Sequence, residues 1–158
     1  MSINIGDILL WGFAATLILT TIMAACKPLG LTRMDLPFIL GTFFTSNRDK
    51  APVYGFLSHL IIGWLFAFLY ATAFESANLF TWWFGLAIGF AHGAFVLSAG
   101  LQIIGAFHPR MAQPYRGPTP TKQLEPPGFF ALNYGRGTPF ITMLAHLVYG
   151  GVLGTFYH

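Results

Sequence analysis

The chain has 158 residues, 55% of them hydrophobic, 17% aromatic and only 8% charged. A soluble domain of this size carries about a quarter charged residues, so eight Lys and Arg with five Asp and Glu exclude a water-dispersed globule. The net charge of +3 calls for no nucleic acid, because the basic residues are confined to two loops and read as a topology signal.

The opening "MSINIGD" has no basic residue and carries Asp7, which is the wrong leader for a signal peptide. The first span therefore reads as a transmembrane helix over 8–26, although "TIMAACK" faintly resembles a lipoprotein cleavage site at Cys26. A lone cysteine permits no internal disulfide. A loop over 27–52 follows, then a second span over 53–74, a short turn, a third span over 80–107, a loop over 108–138 and a fourth span over 139–157. About 20 residues cross a hydrocarbon core of about 30 Å as a helix. None of the four spans holds Asp, Glu, Lys or Arg, and their apolar runs are continuous rather than alternating. Helices are thus expected over barrel strands.

All basic residues lie in the two loops: Lys27, Arg33, Arg48 and Lys50 in the first, Arg110, Arg116, Lys122 and Arg136 in the second. Basic loops stay cytoplasmic, which directs both termini outward and points to a bacterial inner membrane. The loops mix Pro, Gly and aromatics, as in "DLPFILGTFF", and suit the interface between headgroups and hydrocarbon.

Shifting the chain on itself by 87 positions aligns Pro52 with Pro139, His59 with His146, Gly63 with Gly150 and Tyr70 with Tyr157. Each matched span opens with a proline, which suits a first helical turn. The expected fold is an all-α integral membrane domain over 1–158, four transmembrane helices forming two parallel-repeat hairpins, N-out and C-out, about a pseudo-two-fold axis along the membrane normal. Gly85, Gly89 and Gly93, and likewise Gly150 and Gly154, form small-residue stripes that read as helix-packing surfaces.

His59, His92 and His146 lie inside spans. Ionisable residues at that depth face the bundle interior and are functional-site hypotheses by default. Each of His59 and His146 sits seven residues past its proline, about 10 Å from the loop boundary, and His92 is expected several ångströms deeper. A buried imidazole can simply bond across helices, to Ser58, Thr142, Tyr149 or a backbone carbonyl. The sharper expectation is a ligand pair, with His59 and His146 holding haem b as axial ligands, or with His92 a transition-metal ion. Arg110 and Arg136 are the basic groups expected to face a propionate, a phosphate or a lipid. The chain then reads as a redox or metal-handling subunit in the lipid bilayer, with a protein partner or a second copy of itself. The rival is a non-catalytic scaffold or assembly subunit, and a small transporter or channel comes third because the spans hold no carboxylate. Cys-x-x-Cys, a phosphate-cradling glycine loop and His-Glu-x-x-His are all missing. Ser58 and His59 are sequence neighbours that face apart on a helix, which argues against a hydrolase. The pattern assigns no catalytic residue.

Overall fold

The computed structural model describes residues 3–158, all helix, turn and loop, with no β-strand among them. Helix α1 (Ile5–Cys26) starts at Asn4, whose side chain accepts from the Asp7 amide. A short α2 (Leu36–Gly41) is capped by Asp35, which accepts from Phe38 N, with Pro37 in its first turn. Helix α3 (Ala51–Ala77) opens with Pro52 and stops at Asn78 in the left-handed conformation. The third long helix begins as α4 (Trp82–Phe95), passes through one π turn over Val96–Gly100, and continues as α5 (Leu101–Phe107). A 3-10 segment (Phe129–Tyr134) precedes α6 (Thr138–Phe156), which opens with Pro139.

Four helices, Ile5–Cys26, Ala51–Ala77, Trp82–Phe107 and Thr138–Phe156, are long and apolar enough to cross a membrane. Only 33% of the apolar window in each of the first three, and 44% in the fourth, is buried inside the bundle. A helix apolar on every side but mostly unburied has hydrocarbon as its natural surroundings, which suggests an integral membrane protein. The outward hydroxyls agree. Thr21, Ser58, Thr72, Ser98 and Thr155 each donate back to the carbonyl four residues earlier, at 2.7 to 2.9 Å. That habit satisfies a hydroxyl where water is absent.

The long helices alternate in direction. The start of α1, the C-terminus and the turn after Ala77 meet at one end, where Asn4 N donates to Tyr157 Oη at 3.2 Å and Phe80 stacks on Tyr157. The loops occupy the other end. Helices α3 and α6 run parallel along the bundle axis, joined where Tyr149 Oη donates to the Gly63 carbonyl at 2.6 Å. Helices α1 and α4 flank this pair. A two-fold rotation exchanging α3 with α6 would exchange α1 with α4, and α3 and α6 do begin at the matched residues Ala51 and Thr138. The packing is unequal, however. The α1 backbone lies close against both α3 and α6, whereas α4 lies close against α6 alone and meets α3 through side chains.

At the α4–α6 seam a methyl on Gly85 would fall 2.1 Å from the Gly150 carbonyl oxygen, and one on Gly154 would fall 2.5 Å from that of Thr81. The glycine stripes are the packing surfaces the spacing predicts. On the other side of α4, rings hold the backbones apart: Phe66 stacks on His92 with centroids 3.8 Å apart, and Phe74 meets Phe84 at 5.9 Å.

Candidate functional site

The space left between these seams is a cavity of about 80 Å³ lined by His59, His92, His146, Thr16, Thr142 and Tyr149 and closed at the loop end by apolar side chains of the first loop and α5. The three histidines within the candidate spans therefore converge, although they come from three helices. His92 lies deeper than His59, as expected: its ring stacks on Phe66, seven residues further along α3, or about 10 Å at 1.5 Å per residue. The antiparallel α4–α6 register brings its ring to 4.6 Å from that of His146, edge to face.

Hydrogen bonding assigns the tautomers of two rings. His146 Nδ1 lies 2.7 Å from the Thr142 carbonyl oxygen, which can only accept, so Nδ1 carries the proton. His59 Nδ1 lies 3.0 Å from Thr20 Oγ1. Thr20 donates its single hydroxyl proton to the Thr16 carbonyl at 2.7 Å, so here too Nδ1 is the donor. Both neutral rings then carry their lone pair on Nε2. His92 is held differently, with Nδ1 3.3 Å from Tyr70 Oη and one face covered by Phe66.

Thr142 also lines this space. Thr142 is 1% exposed, yet Oγ1 is buried without a hydrogen-bond partner. It departs from the back-bonding of Thr16 and Thr20, which donate to Gly12 and Thr16. Leaving a buried hydroxyl unsatisfied costs about 1–3 kcal/mol, and Thr81 Oγ1, away from the cavity, is in the same state. The π turn follows His92 within one helical turn. Insertions of this kind recur at functional sites, and Val96 and Leu101 at its two ends line the cavity.

The three histidines named from the sequence line one cavity, and of the partners expected for them a backbone carbonyl, that of Thr142, holds His146. Ser58 turns outward to the Tyr54 carbonyl and is no partner of His59. Thr142 lies four residues before His146, on the same helical face, and that spacing was the available signal. Thr20 and Tyr70 belong to other helices, and no local pattern announces them.

The two arginines expected beside the histidines are elsewhere. Arg110 Nη1 donates to the Thr42 carbonyl, capping the end of α2. Arg136 is exposed and makes no ion pair among the described residues. Neither lines the cavity. The charge of Arg110 is drawn to the unsatisfied carbonyls at a helix C-terminus, a competitor invisible while α2 reads as loop. Its neighbour His108, 1% exposed, completes this clamp. Nδ1 accepts from Arg110 N at 3.0 Å, so Nε2 donates, to the Ile39 carbonyl at 2.9 Å and toward Thr42 Oγ1 at 3.2 Å. Burial holds the His108 imidazole below its ordinary pKa, the bond to Ile39 opposes this, and Arg110 and Lys122 lower it further.

No family model, curated protein or solved structure matches the chain. Its chemistry is therefore read from the site. Among the described residues no three His, Cys, Asp or Glu side chains stand close enough to close round one ion. The residues around the cavity include His59, His92, His146, Thr142 and, toward the loop end, Met23 and Met34, and the wall they form is almost wholly apolar.

Proposed function

We propose that the chain is a metal-handling integral membrane protein of a bacterial inner membrane, basic loops inward, whose core receives a single soft transition-metal ion. His59 and His146 supply nitrogen through Nε2, Met23 or Met34 supplies sulfur, and His92 with Thr142 serves as a nearby donor. Imidazole and thioether without a carboxylate are the donor set that favours copper(I) over zinc or the hard cations. The observation that carries this reading is the shared tautomer. A histidine whose Nδ1–H is tied to a carbonyl or hydroxyl oxygen has its Nε2 aimed and made basic for a metal, and here two rings on parallel helices are tied that way around one cavity. Haem b fits this reading less well, since about 80 Å³ is small beside ligand pockets of roughly 300–1,000 Å³.

A second reading has its own support. His59 ties α3 to α1, and His92 ties α4 to α3, so the rings already serve as inter-helix fasteners in what would be a scaffold subunit. Copper(I) titration of protein purified in mild detergent, with an absorption spectrum and metal analysis, separates the two. The metal reading expects one equivalent of copper and a loss of affinity of ten-fold or more in His59→Ala and His146→Ala. A Soret band lost in the same variants would return haem to the site. Colourless protein that stays folded and takes up no copper would leave the scaffold reading.

A further inference from the structure

A second pocket, larger and more polar than the first, lies at the loop end on the other face of α2. Leu36 and Leu40 of α2 line the histidine cavity, while Phe38 and the following Thr42 line this one. It measures about 570 Å³, and its polar lining is Thr42, Ser46, Arg48, Arg110, Thr121 and Gln123. Both charged groups are guanidiniums, and no carboxylate faces them.

The balance of charge around the pocket leaves these guanidiniums uncompensated. Of the three loop carboxylates, Asp35 is paired with Lys27 and Glu125 with Arg33, and Asp49 is exposed and outside the lining. Arg48 lies over the Phe38 ring at 5.0 Å and makes no ion pair among the described residues. Arg110 gives one of its nitrogens to Thr42 O and keeps the rest of its fork. Planar forks of this kind match the oxygens of a phosphate diester.

The surroundings decide which phosphate. Phe44 is 68% exposed and Phe107 79% exposed, and each lies two residues from a lining residue, Thr42 or Ser46 for the first and Pro109 for the second. A basic, hydroxyl-bearing pocket whose own chain segments also carry bare aromatic rings has the two-part chemistry of a phospholipid, whose head is polar and whose chains are not. Its volume exceeds what a bare phosphate fills and falls within the usual range for an organic ligand. Basic pockets at the membrane face of helical bundles bind anionic headgroups by the same forces.

We propose that this pocket binds the headgroup of an anionic phospholipid, with Arg48 and Arg110 on the phosphate oxygens and Thr42, Ser46, Thr121 and Gln123 around the polar head. The site is separate from the histidine cavity, and its test does not depend on any metal.

The test titrates dioctanoyl phosphatidylglycerol into the full chain in non-ionic detergent, with binding followed by native mass spectrometry. One saturable equivalent is expected. Dioctanoyl phosphatidylcholine and inorganic phosphate should each bind at least ten-fold more weakly. Arg48→Gln should weaken the lipid about five-fold, the worth of one basic group near a surface, and adding Arg110→Lys should weaken it further. Arg48 holds no backbone group, so Arg48→Gln keeps the fold, and retained helicity by circular dichroism checks this. Equal affinity of Arg48→Gln and wild type would overturn the site. Phosphate binding as tightly as the lipid would overturn the lipid assignment, as would phosphatidylcholine binding as tightly as phosphatidylglycerol.

Discussion

Helix α4 makes two seams of opposite construction. Toward α6 it offers Gly85, Gly89 and Gly93, and the backbones touch. Toward α3 it offers Phe84 and His92 to the rings of Phe74, Phe66 and Tyr70, and the backbones stand apart. In lipid no hydrophobic force drives helices together, so close backbone packing supplies the cohesion. The α4–α6 seam carries that task and has no room for chemistry. The α3–α4 seam gives up backbone contact for ring-sized spacing, and beside it lies the cavity to which α3 brings His59, α4 His92 and α6 His146 and Thr142. Cohesion and site are thus assigned to different faces of one helix.

Changes to the tight seam should have the largest effect. Gly85→Leu drives a side chain into the Gly150 carbonyl, and overpacking of this severity costs about 3 kcal/mol or more. The expected outcome is loss of the monodisperse folded species in detergent, read by size-exclusion chromatography. Phe66→Ala on the loose seam should cost about 2 kcal/mol, less than a fully buried phenylalanine because Phe66 is only partly buried. It should also free the His92 ring, whose NMR signals would lose the upfield shift that the stacked phenyl imposes. Retained shift and stability would show that the aromatic spacing is not what holds this seam.

Tyr149→Phe removes the bond to the Gly63 carbonyl that joins α3 to α6 beside the cavity. A loss of about 1–2 kcal/mol is expected in denaturant unfolding. The clamp on α2 supplies a pH test away from both seams. His108 has its folded pKa lowered by burial, so its unfolded form binds protons more readily. Its contribution to stability is fully present above the ordinary histidine value of about 6.5 and is lost as pH falls below it. Wild type should lose stability on acidification in that window, and His108→Gln should lose less. The smallest change is Thr142→Val, which exchanges an unsatisfied hydroxyl for a methyl of similar shape. Stability should be unchanged or higher by about 1 kcal/mol, while copper affinity falls if the hydroxyl faces the ion.

The four spans were legible because length and apolar continuity depend on nothing beyond the local chain. Predicted spans of 53–74 and 139–157 became Ala51–Ala77 and Thr138–Phe156, with Pro52 and Pro139 in first turns where a missing N–H costs nothing. Helix α2 was missed although its signal was present. Asp35 and Pro37 form a capped helix start, and the segment passed for loop because six residues show no period. The π turn over Val96–Gly100 had no proline to announce it.

The site divides in the same way. That His59, His92 and His146 face inward follows from the cost of an ionisable ring in hydrocarbon, a property of each residue and its span. Which nitrogen each ring presents depends on Thr20 and Tyr70, brought from other helices. The sequence by itself determined how many long apolar helices there are, where each starts to within a few residues and which rings turn from lipid, since these are energies of single segments against their solvent. Only the tertiary structure decided which helices touch, how wide the space between the rings is and what Arg110 binds, because those outcomes are set by competition between partners far apart in the chain.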